Sequence, residues 1–197
     1  LSIVGLINNE DEIVQKALSV PGAQYMAMAN GRVNSIELVA SLINCKKNVV
    51  EGIKYAQEII KGSCTILLMT STKLIAARDK MGRLPIVIGK NDDGYAVAME
   101  SHSYINLDYT TERFVAPGEI IKITPLGITQ LLAPFDKMQI CSFLWIYYGF
   151  PCVDYEGINA EEVRYKGGYE LGLNDDVEAD FVSAIPDSGI GMALGYA

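Results

Sequence analysis

The sequence predicts an α+β protein with antiparallel sheets layered against helices, followed by the opening of an α/β domain. Three observations predict this class. Helical patterns precede residue 62, strand-like segments follow one another from residue 64 to residue 134, and the chain closes on a strand–turn–helix pattern. Successive strands flanked by helices indicate layered antiparallel sheets. We place the boundary between Pro134 and Gln139, which gives domains of residues 1–136 and 137–197.

The first part of the chain predicts one strand and two helices. Ser2–Ile7 is a short apolar run typical of a buried strand. Residues 35–43 have helical spacing behind Asn34, a residue type that caps helix N-termini. Residues 48–62 are amphipathic, and Gly62 is the predicted C-cap. The predicted apolar face of this helix consists of Val50, Ile53, Ala56 and Ile59 or Ile60.

Six strand-like segments follow, and then the pattern changes near Pro134. The segments are residues 64–70, 73–79, 84–90, 95–101, 113–125 and 127–134. Residues 159–172 are predicted to form a helix, although their glycines weaken the pattern. At the end, an apolar strand over Phe181–Ile185 is predicted to turn at Pro186–Gly189 into a helix.

An acidic and moderately apolar composition excludes several classes of partner. Half of the 197 residues are hydrophobic, a fifth are charged, and the formal net charge is −8. The apolar content is enough for a sizeable core, and the negative charge repels phosphate backbones, so we expect no nucleic-acid partner. No apolar run is long enough to cross a bilayer, so we expect no membrane association.

Four separated cysteines and one histidine limit the metal and catalytic chemistry. The cysteines form no CxxC pair, which argues against a self-contained zinc site. The first residues lack the pattern of a signal peptide, so we expect reduced thiols in a cytoplasmic protein. Because His102 is the only histidine, we expect neither a Ser-His-Asp triad nor a multi-histidine metal site.

Five segments, taken in order, resemble the glutamine phosphoribosylpyrophosphate amidotransferase (amidophosphoribosyltransferase) family. Each segment is weakly specific by itself, but their order and spacing together are characteristic. The resemblance covers nearly the whole chain from Lys47 onward. The segments are residues 61–90, 95–101, 114–124, 140–148 and 179–197.

The resemblance implies two domains and one overall reaction. The first domain would be a four-layer αββα glutaminase of the N-terminal-nucleophile type, whose terminal cysteine releases ammonia from glutamine. The second would be an α/β type I phosphoribosyltransferase, which uses Mg²⁺ to place that ammonia on phosphoribosylpyrophosphate. The product, phosphoribosylamine, begins purine synthesis. The implied partners are phosphoribosylpyrophosphate and glutamine or ammonia, and we expect a homo-oligomer.

The turn Pro186–Gly189 takes the position that faces pyrophosphate in this family. A helix N-terminus offers free N–H groups and a favourable dipole to an anion. The resemblance assigns Asp187, Ser188 and Gly189 to pyrophosphate binding. Gly189 would let the backbone approach, Ser188 would contact an oxygen or Mg²⁺, and Asp187 would act through the metal or water. Without the resemblance, a plain turn and helix cap would explain the same residues.

Leu1 stands where the family has its nucleophilic cysteine. Family members begin Cys-Gly-apolar-apolar-Gly, whereas this chain begins Leu1-Ser2-Ile3-Val4-Gly5. A leucine side chain has no lone pair to attack an amide, so no thioester can form there. We therefore expect no catalytic residue in the glutaminase half. Ser2 carries a hydroxyl, but a nucleophile of this type uses its own free α-amine as base, and Ser2 is not terminal.

The positions that bind glutamine in the family are only partly kept. The His-Asn-Gly motif becomes Ala29-Asn30-Gly31, in which Asn30 and Gly31 would form the oxyanion hole. Ser35 stands at the position of an acidic residue that holds the substrate's amino group. The loop whose arginine clamps the glutamine carboxylate has no match, and a second shortening precedes Ser35. Residues missing from this sequence and a decayed site both explain these departures, and we expect both.

Cys141 takes the position of one ligand to a [4Fe–4S] cluster in bacterial relatives. One cysteine cannot hold a cluster, so we expect a buried apolar thiol here. Arg164 matches a helix that borders the nucleotide region in relatives, but by itself it is expected to be a solvated charge. Three charged family positions near Cys141 are here Leu144, Phe150 and Cys152.

Three functions remain open from the sequence. The leading one is ammonia transfer to phosphoribosylpyrophosphate by a protein whose glutaminase half is inactive. The alternative is a non-catalytic paralogue that acts as a binding or regulatory subunit, and Leu1, Ala29 and the lost charges near Cys141 motivate it. A relative of another amidotransferase, such as a glucosamine-phosphate synthase, is the third.

Overall fold

A computed structural model describes residues 1–18, 28–29 and 32–197 of the chain, and residues 28–29 are described by their backbone alone. Contacts divide these residues into unit 1, Leu1–Ile86 with Val115–Ile140, and unit 2, Val87–Phe114 with Cys141–Ala197. This grouping differs from the predicted domains 1–136 and 137–197, which remain a prediction. No helix in the described ranges has the length and apolarity needed to span a bilayer.

Both helices and strands are present, as the predicted fold class requires. The helices are α1 (Glu10–Leu18), α2 (Ser35–Asn44), α3 (Val49–Ile59), α4 (His102–Ile105), α5 (Ala160–Leu173) and α6 (Ile190–Tyr196), with a π-helix at Leu144–Tyr148. The strands are β1 (Ser2–Ile7), β2 (Met28–Ala29), β3 (Arg32–Val33), β4 (Gly62–Met69), β5 (Leu74–Ala77), β6 (Val87–Asn91), β7 (Gly94–Ala98), β8 (Thr110–Phe114), β9 (Ile120–Thr124), β10 (Gly127–Leu132), β11 (Asp154–Tyr155) and β12 (Ile158–Asn159).

Unit 1 is built on a five-stranded antiparallel sheet in the order β1-β4-β5-β9-β10. Helices α2 and α3 place their apolar faces in the same core as the sheet, with Leu38, Ile53 and Ile66 almost fully buried. Burial of such side chains contributes about 1.5–3 kcal/mol each. The predicted strands at residues 64–70 and 73–79 are confirmed, because their apolar residues supply this core. The strand predicted at Ser2–Ile7 is formed, but the expectation that it is buried is wrong, because only Ile3 and Ile7 pack against the core.

The two predicted helices of unit 1 begin at asparagine caps but end differently from expectation. The Asn34 side chain accepts a hydrogen bond from the Ile36 N–H at 2.8 Å, which confirms it as the cap of α2. Helix α3 ends with Ile60 as its C-cap, so the prediction that Gly62 caps it is wrong. Gly62 instead opens β4 with a φ of +140°, and a Cβ there would lie 2.0 Å from the Leu6 carbonyl oxygen.

A buried arginine ties together the loops of unit 1. The guanidinium of Arg78 donates to the carbonyl oxygens of Leu84, Val115 and Gly82 at 2.9, 2.7 and 2.8 Å. The side chain is 0% exposed. Because a buried guanidinium stays charged, its donors must be paired, and these carbonyls fix the segments that leave and enter the sheet.

Unit 2 combines a three-stranded antiparallel sheet, β7-β6-β8, with helices α5 and α6. Tyr104 of α4 lies against the sheet, and its hydroxyl donates to the Val87 carbonyl at 2.8 Å. The predicted helix at residues 159–172 is confirmed as α5. Its cap is Asn159, whose side chain accepts from the N–H groups of Glu161 and Glu162.

The strand predicted for Phe181–Ile185 is not formed. Residues 181–185 have no regular secondary structure, and Phe181 is 92% exposed. A strand requires a neighbour that takes up its backbone hydrogen bonds, and no described strand pairs with this segment. The helix predicted after the turn is confirmed as α6.

Helices α5 and α6 approach each other closely because glycines line their contact. A Cβ at Gly168 would lie 1.8 Å from the Met192 carbonyl oxygen, and a Cβ at Gly195 would lie 2.0 Å from that of Tyr165. The two helix backbones are therefore in contact at positions that have room for the hydrogen of glycine but not for a Cβ atom. The glycines that weaken the helical pattern of α5 in the sequence are the residues that let α6 pack against it.

We predict that Gly168→Ala destabilises the protein by about 1–3 kcal/mol, because the new methyl group overpacks the α5–α6 contact. The neighbouring Gly167 is the matched control, since a Cβ there would meet nothing within 4 Å. Gly167→Ala should stabilise the helix by up to about 1 kcal/mol through propensity. Urea unfolding of both variants measures the difference, and equal stabilities would contradict the described packing.

Candidate functional site

Leu1, which the resemblance predicts to stand at the position of the family nucleophile, lies at the head of β1. Leu1 immediately precedes this strand, and its side chain is 39% exposed. Strand β1 runs antiparallel to β4, which places Gly5 opposite Cys64. An aliphatic side chain offers neither a nucleophile nor an acid or base, so the chemistry of this end of β1 depends on its neighbours.

An open depression in unit 1 lies along β1, and its lining includes Gly5, Glu10, Arg32, Ser35 and Cys64. The Ser35 hydroxyl donates to Oε1 of Glu10 at 2.5 Å. Glu10 thus brings a carboxylate beside the residue predicted to replace the family's acidic one. Sequence reasoning missed this contact. The signal was the acidic run that opens α1, but nothing in its spacing connects it to a residue 25 positions away.

The thiol in this depression is not activated. Cys64 is 3% exposed. Burial, together with repulsion from the Asp79 carboxylate, raises the pKa of the Cys64 thiol to about 12. Because the thiolate is the nucleophilic form of cysteine, Cys64 is a neutral thiol at physiological pH.

The predicted oxyanion-hole residues, Asn30 and Gly31, lie outside the described residues. On either side of them, the backbones of Met28–Ala29 and Arg32–Val33 pair as the antiparallel strands β2 and β3. The role of Asn30 and Gly31 therefore stays a prediction.

The predicted pyrophosphate turn lies immediately before α6 in unit 2. The Gly189 N–H donates to the Ile185 carbonyl at 3.1 Å, and the Ile190 N–H donates to that of Asp187 at 3.3 Å. The peptide bond between Pro186 and Asp187 is cis. Asp187 is exposed, whereas Ser188 and Gly189 are half-buried. The turn-to-helix geometry agrees with the sequence, and the ligand roles of these three residues stay predictions.

Arg164, expected to be a solvated charge, is buried. Its side chain is 1% exposed, and Nη2 donates to the Gly149 carbonyl at 2.7 Å. The prediction is wrong because α5 turns this residue inward, toward the chain that follows the π-helix. Periodicity did not reveal this orientation, because the glycines and tyrosines of α5 leave no clear apolar face.

The single histidine belongs to a polar cluster of unit 2. Nδ1 of His102 lies 3.1 Å from Oε2 of Glu100, and the Tyr155 hydroxyl donates to Oε1 of the same carboxylate at 2.7 Å. Burial, reinforced by this hydrogen bond, raises the pKa of Tyr155 above its ordinary value. The His102 ring also packs against Phe150, with ring centroids 5.1 Å apart. These contacts join the two segments of unit 2, Val87–Phe114 and Cys141–Ala197.

The described residues do not fit a resident metal cluster. Cys141 is exposed, so the prediction of a buried thiol is wrong: the residue precedes the π-helix rather than packing beneath it. Within the described part of the chain, no group of three or more His, Cys, Asp or Glu side chains could hold a metal ion. An iron–sulfur cluster needs four ligands, so the residues present do not provide one. The Asp187 carboxylate and Ser188 hydroxyl are hard oxygen donors of the kind that Mg²⁺ prefers.

Comparisons with known proteins identify relatives by sequence, although no protein-family model matches the chain. The amidophosphoribosyltransferase of Archaeoglobus fulgidus is 33% identical over 163 residues, which cover 82% of this chain and 35% of that protein. The amidophosphoribosyltransferase of Bacillus subtilis is 36% identical over 148 residues, which cover 75% of this chain and 31% of that protein. The chain thus spans about a third of the length of these curated relatives.

A solved structure matches the fold as well. It is the glutamine phosphoribosylpyrophosphate amidotransferase of Bacillus subtilis complexed with ADP and GMP, with a TM-score of 0.86 and 30% identity. The match covers 99% of this chain and 42% of the solved one. Sequence and fold agree along nearly the same residues, and the chain belongs to the amidophosphoribosyltransferase family.

Proposed function

We propose that this chain is part of a protein that transfers ammonia to phosphoribosylpyrophosphate, while its glutaminase half generates no ammonia. The observation that carries the proposal is the neutral thiol of Cys64 in the depression along β1, where the aliphatic Leu1 is predicted to stand at the nucleophile position. Amide hydrolysis through a thioester requires a thiolate, and none of these residues supplies one.

We also propose the finer architecture that the family implies. Residues 1–136 would form the four-layer αββα glutaminase-like domain, and 137–197 the start of a type I phosphoribosyltransferase domain. The five-stranded antiparallel sheet β1-β4-β5-β9-β10 and the helices α2 and α3, which share its core, support the layered part. The turn and helix at the end support the second part.

In this proposal the turn Pro186–Gly189 receives the pyrophosphate of the substrate. The half-buried Ser188 hydroxyl would donate to a phosphate oxygen, and the positive end of the α6 dipole would favour the anion. Mg²⁺ usually keeps several waters and joins a site through one or two protein oxygens plus substrate phosphates. Asp187 and Ser188 would therefore hold the Mg²⁺ that arrives with the substrate, and the ion would offset the phosphate charge.

We also propose a compartment and an assembly. Cys45, Cys64, Cys141 and Cys152 are all free, which suits a reducing compartment, and we propose the cytoplasm. We propose that the protein is a homo-oligomer. We propose neither nucleic acid nor a membrane as a partner, because the net charge of −8 disfavours polyanionic surfaces.

A regulatory subunit is the second candidate function. One observation favours it: the exposed apolar side chains of unit 2 include Phe150 at 61% and Tyr148 at 69%, at or beside positions that are charged in the family. Exposed apolar groups in place of charges suit a partner-binding surface. Co-purification of the protein with an active relative would support this function.

The transfer reaction can be tested directly. The intact protein, with phosphoribosylpyrophosphate and Mg²⁺, should release pyrophosphate when ammonium is supplied and not when glutamine is supplied. Ser188→Ala should lower the ammonium-dependent rate by about a hundredfold, as expected for loss of a charge-stabilising donor. Ser183→Ala, at an exposed site in the same segment, is the control.

The outcomes of this assay separate the candidate functions. Pyrophosphate release with glutamine would contradict a silent glutaminase half. No release with either nitrogen source would contradict the transferase and favour the regulatory subunit.

The neutral thiol of Cys64 predicts a distinct pattern of alkylation. Iodoacetamide at pH 8 should label the exposed Cys45, Cys141 and Cys152 in the native protein but leave Cys64 unmodified. Because burial raises the pKa of Cys64 to about 12, its thiolate fraction should grow about tenfold per pH unit until that value is reached.

Peptide mass spectrometry measures the labelling at each cysteine. Protein unfolded in urea is the control, and all four cysteines should react there. Labelling of native Cys64 as fast as that of Cys141 would contradict the buried, neutral thiol.

A further inference from the structure

We propose that Glu161 and Arg164 of α5 are positioning residues for the turn Pro186–Gly189, which they hold in place through the first turn of α6. The inference rests on the proposed function, in which this turn binds pyrophosphate. It adds two residues outside the turn to the site, and it gives a role to a buried charge that the proposed function does not use.

The Glu161 carboxylate lies directly against α6. A methyl group at Gly191 would be 2.6 Å from Cδ and Oε1 of Glu161 and 2.9 Å from Oε2. Gly191 is buried and comes two residues after Gly189, the last residue of the turn. The carboxylate therefore fills the space that a side chain at Gly191 would need, and α6 cannot shift toward α5 without meeting it.

Arg164 holds that carboxylate in position. Its Nη1 lies 3.9 Å from Oε2 of Glu161, one helical turn away, and its Nη2 donates to the Gly149 carbonyl. Nε makes no hydrogen bond within the described part of the chain. A guanidinium stays charged, and a buried charge requires a partner. Glu161 supplies a countercharge at the edge of the interior, where its own side chain is 35% exposed.

The turn moves with α6 because it is bonded into the start of the helix. The Ala193 N–H donates to the Gly189 carbonyl at 2.9 Å, and the Ile190 N–H donates to the Asp187 carbonyl. The glycine contact at Gly168 sets the distance between α5 and α6. Glu161 then fixes the end of α6 that carries the turn. The residue that it contacts, Gly191, is separated from Gly189 of the turn by only two peptide units.

Removal of the Glu161 charge changes pyrophosphate affinity in opposite directions, depending on whether Glu161 positions the turn or is merely close to it. Pyrophosphate and the Glu161 carboxylate are both negative, so a carboxylate that is merely nearby weakens binding by repulsion. Its removal would then tighten the complex. If Glu161 holds the turn in its binding geometry, its removal weakens the complex instead.

The test compares Glu161→Gln with Glu162→Gln in the intact protein. Glu162 is the matched control because it is the next residue of α5 and pairs with Lys166 at the exposed surface, 2.5 Å away. Hydrogen exchange should become about tenfold faster at the amides of Asp187–Met192 in Glu161→Gln and stay unchanged in Glu162→Gln, since tenfold corresponds to loss of about 1.4 kcal/mol of local stability. Arg164→Met should have the same effect as Glu161→Gln, provided that it folds.

The second readout is the affinity for inorganic pyrophosphate with Mg²⁺, measured by calorimetry. Glu161→Gln should weaken it about tenfold. Unchanged hydrogen exchange in Glu161→Gln, or tighter pyrophosphate binding, would overturn the inference. If the parent protein binds no pyrophosphate but exchange still rises in Glu161→Gln, the proposed ligand of the turn is wrong and the hold of Glu161 on α6 is supported.

Discussion

The antiparallel pairing of β1 with β4 is the constraint on which unit 1 depends. Its register brings Gly5 opposite Cys64 and Ile7 opposite Gly62. A Cβ at Gly5 would lie 2.1 Å from the Ser63 carbonyl oxygen, so the two backbones touch where glycine is needed. This register fixes Leu1 at the head of the strand and draws the thiol of Cys64 into the core. Once the strands pair in this way, the thiol of Cys64 is desolvated.

Specific polar contacts hold segments of unit 2 together. The buried Arg164 donates to the Gly149 carbonyl, and the buried Tyr155 donates to the Glu100 carboxylate. A buried polar group that loses its partner costs free energy, so each contact restricts the chain to one arrangement. The contact between α5 and α6 has a different basis, because glycines such as Gly168 and Gly195 let the two backbones approach closely.

The sequence predicted what local pattern controls and missed what tertiary contacts decide. Strand β4 and helix α3 were predictable because their apolar residues recur with the period of the element. The strand expected at Phe181–Ile185 failed because no described partner pairs with it, and Gly62 was misassigned because its φ serves a strand opening rather than a helix end. At the site, the sequence placed the turn before α6 correctly, whereas the match of Leu1 to the family nucleophile stays a prediction. The contacts of Ser35 with Glu10 and of Glu161 with Gly191 join residues far apart in sequence, so no local pattern could reveal them.

The central proposal is that the glutaminase half of the protein has no thiolate to act on glutamine. A diazoketone analogue of glutamine tests it most directly, because such a reagent alkylates the nucleophile that recognises it and leaves ordinary thiols unmodified. Intact-protein mass spectrometry after incubation should find the mass of the full-length protein unchanged. One stoichiometric adduct, mapped to a cysteine of unit 1, would contradict the account.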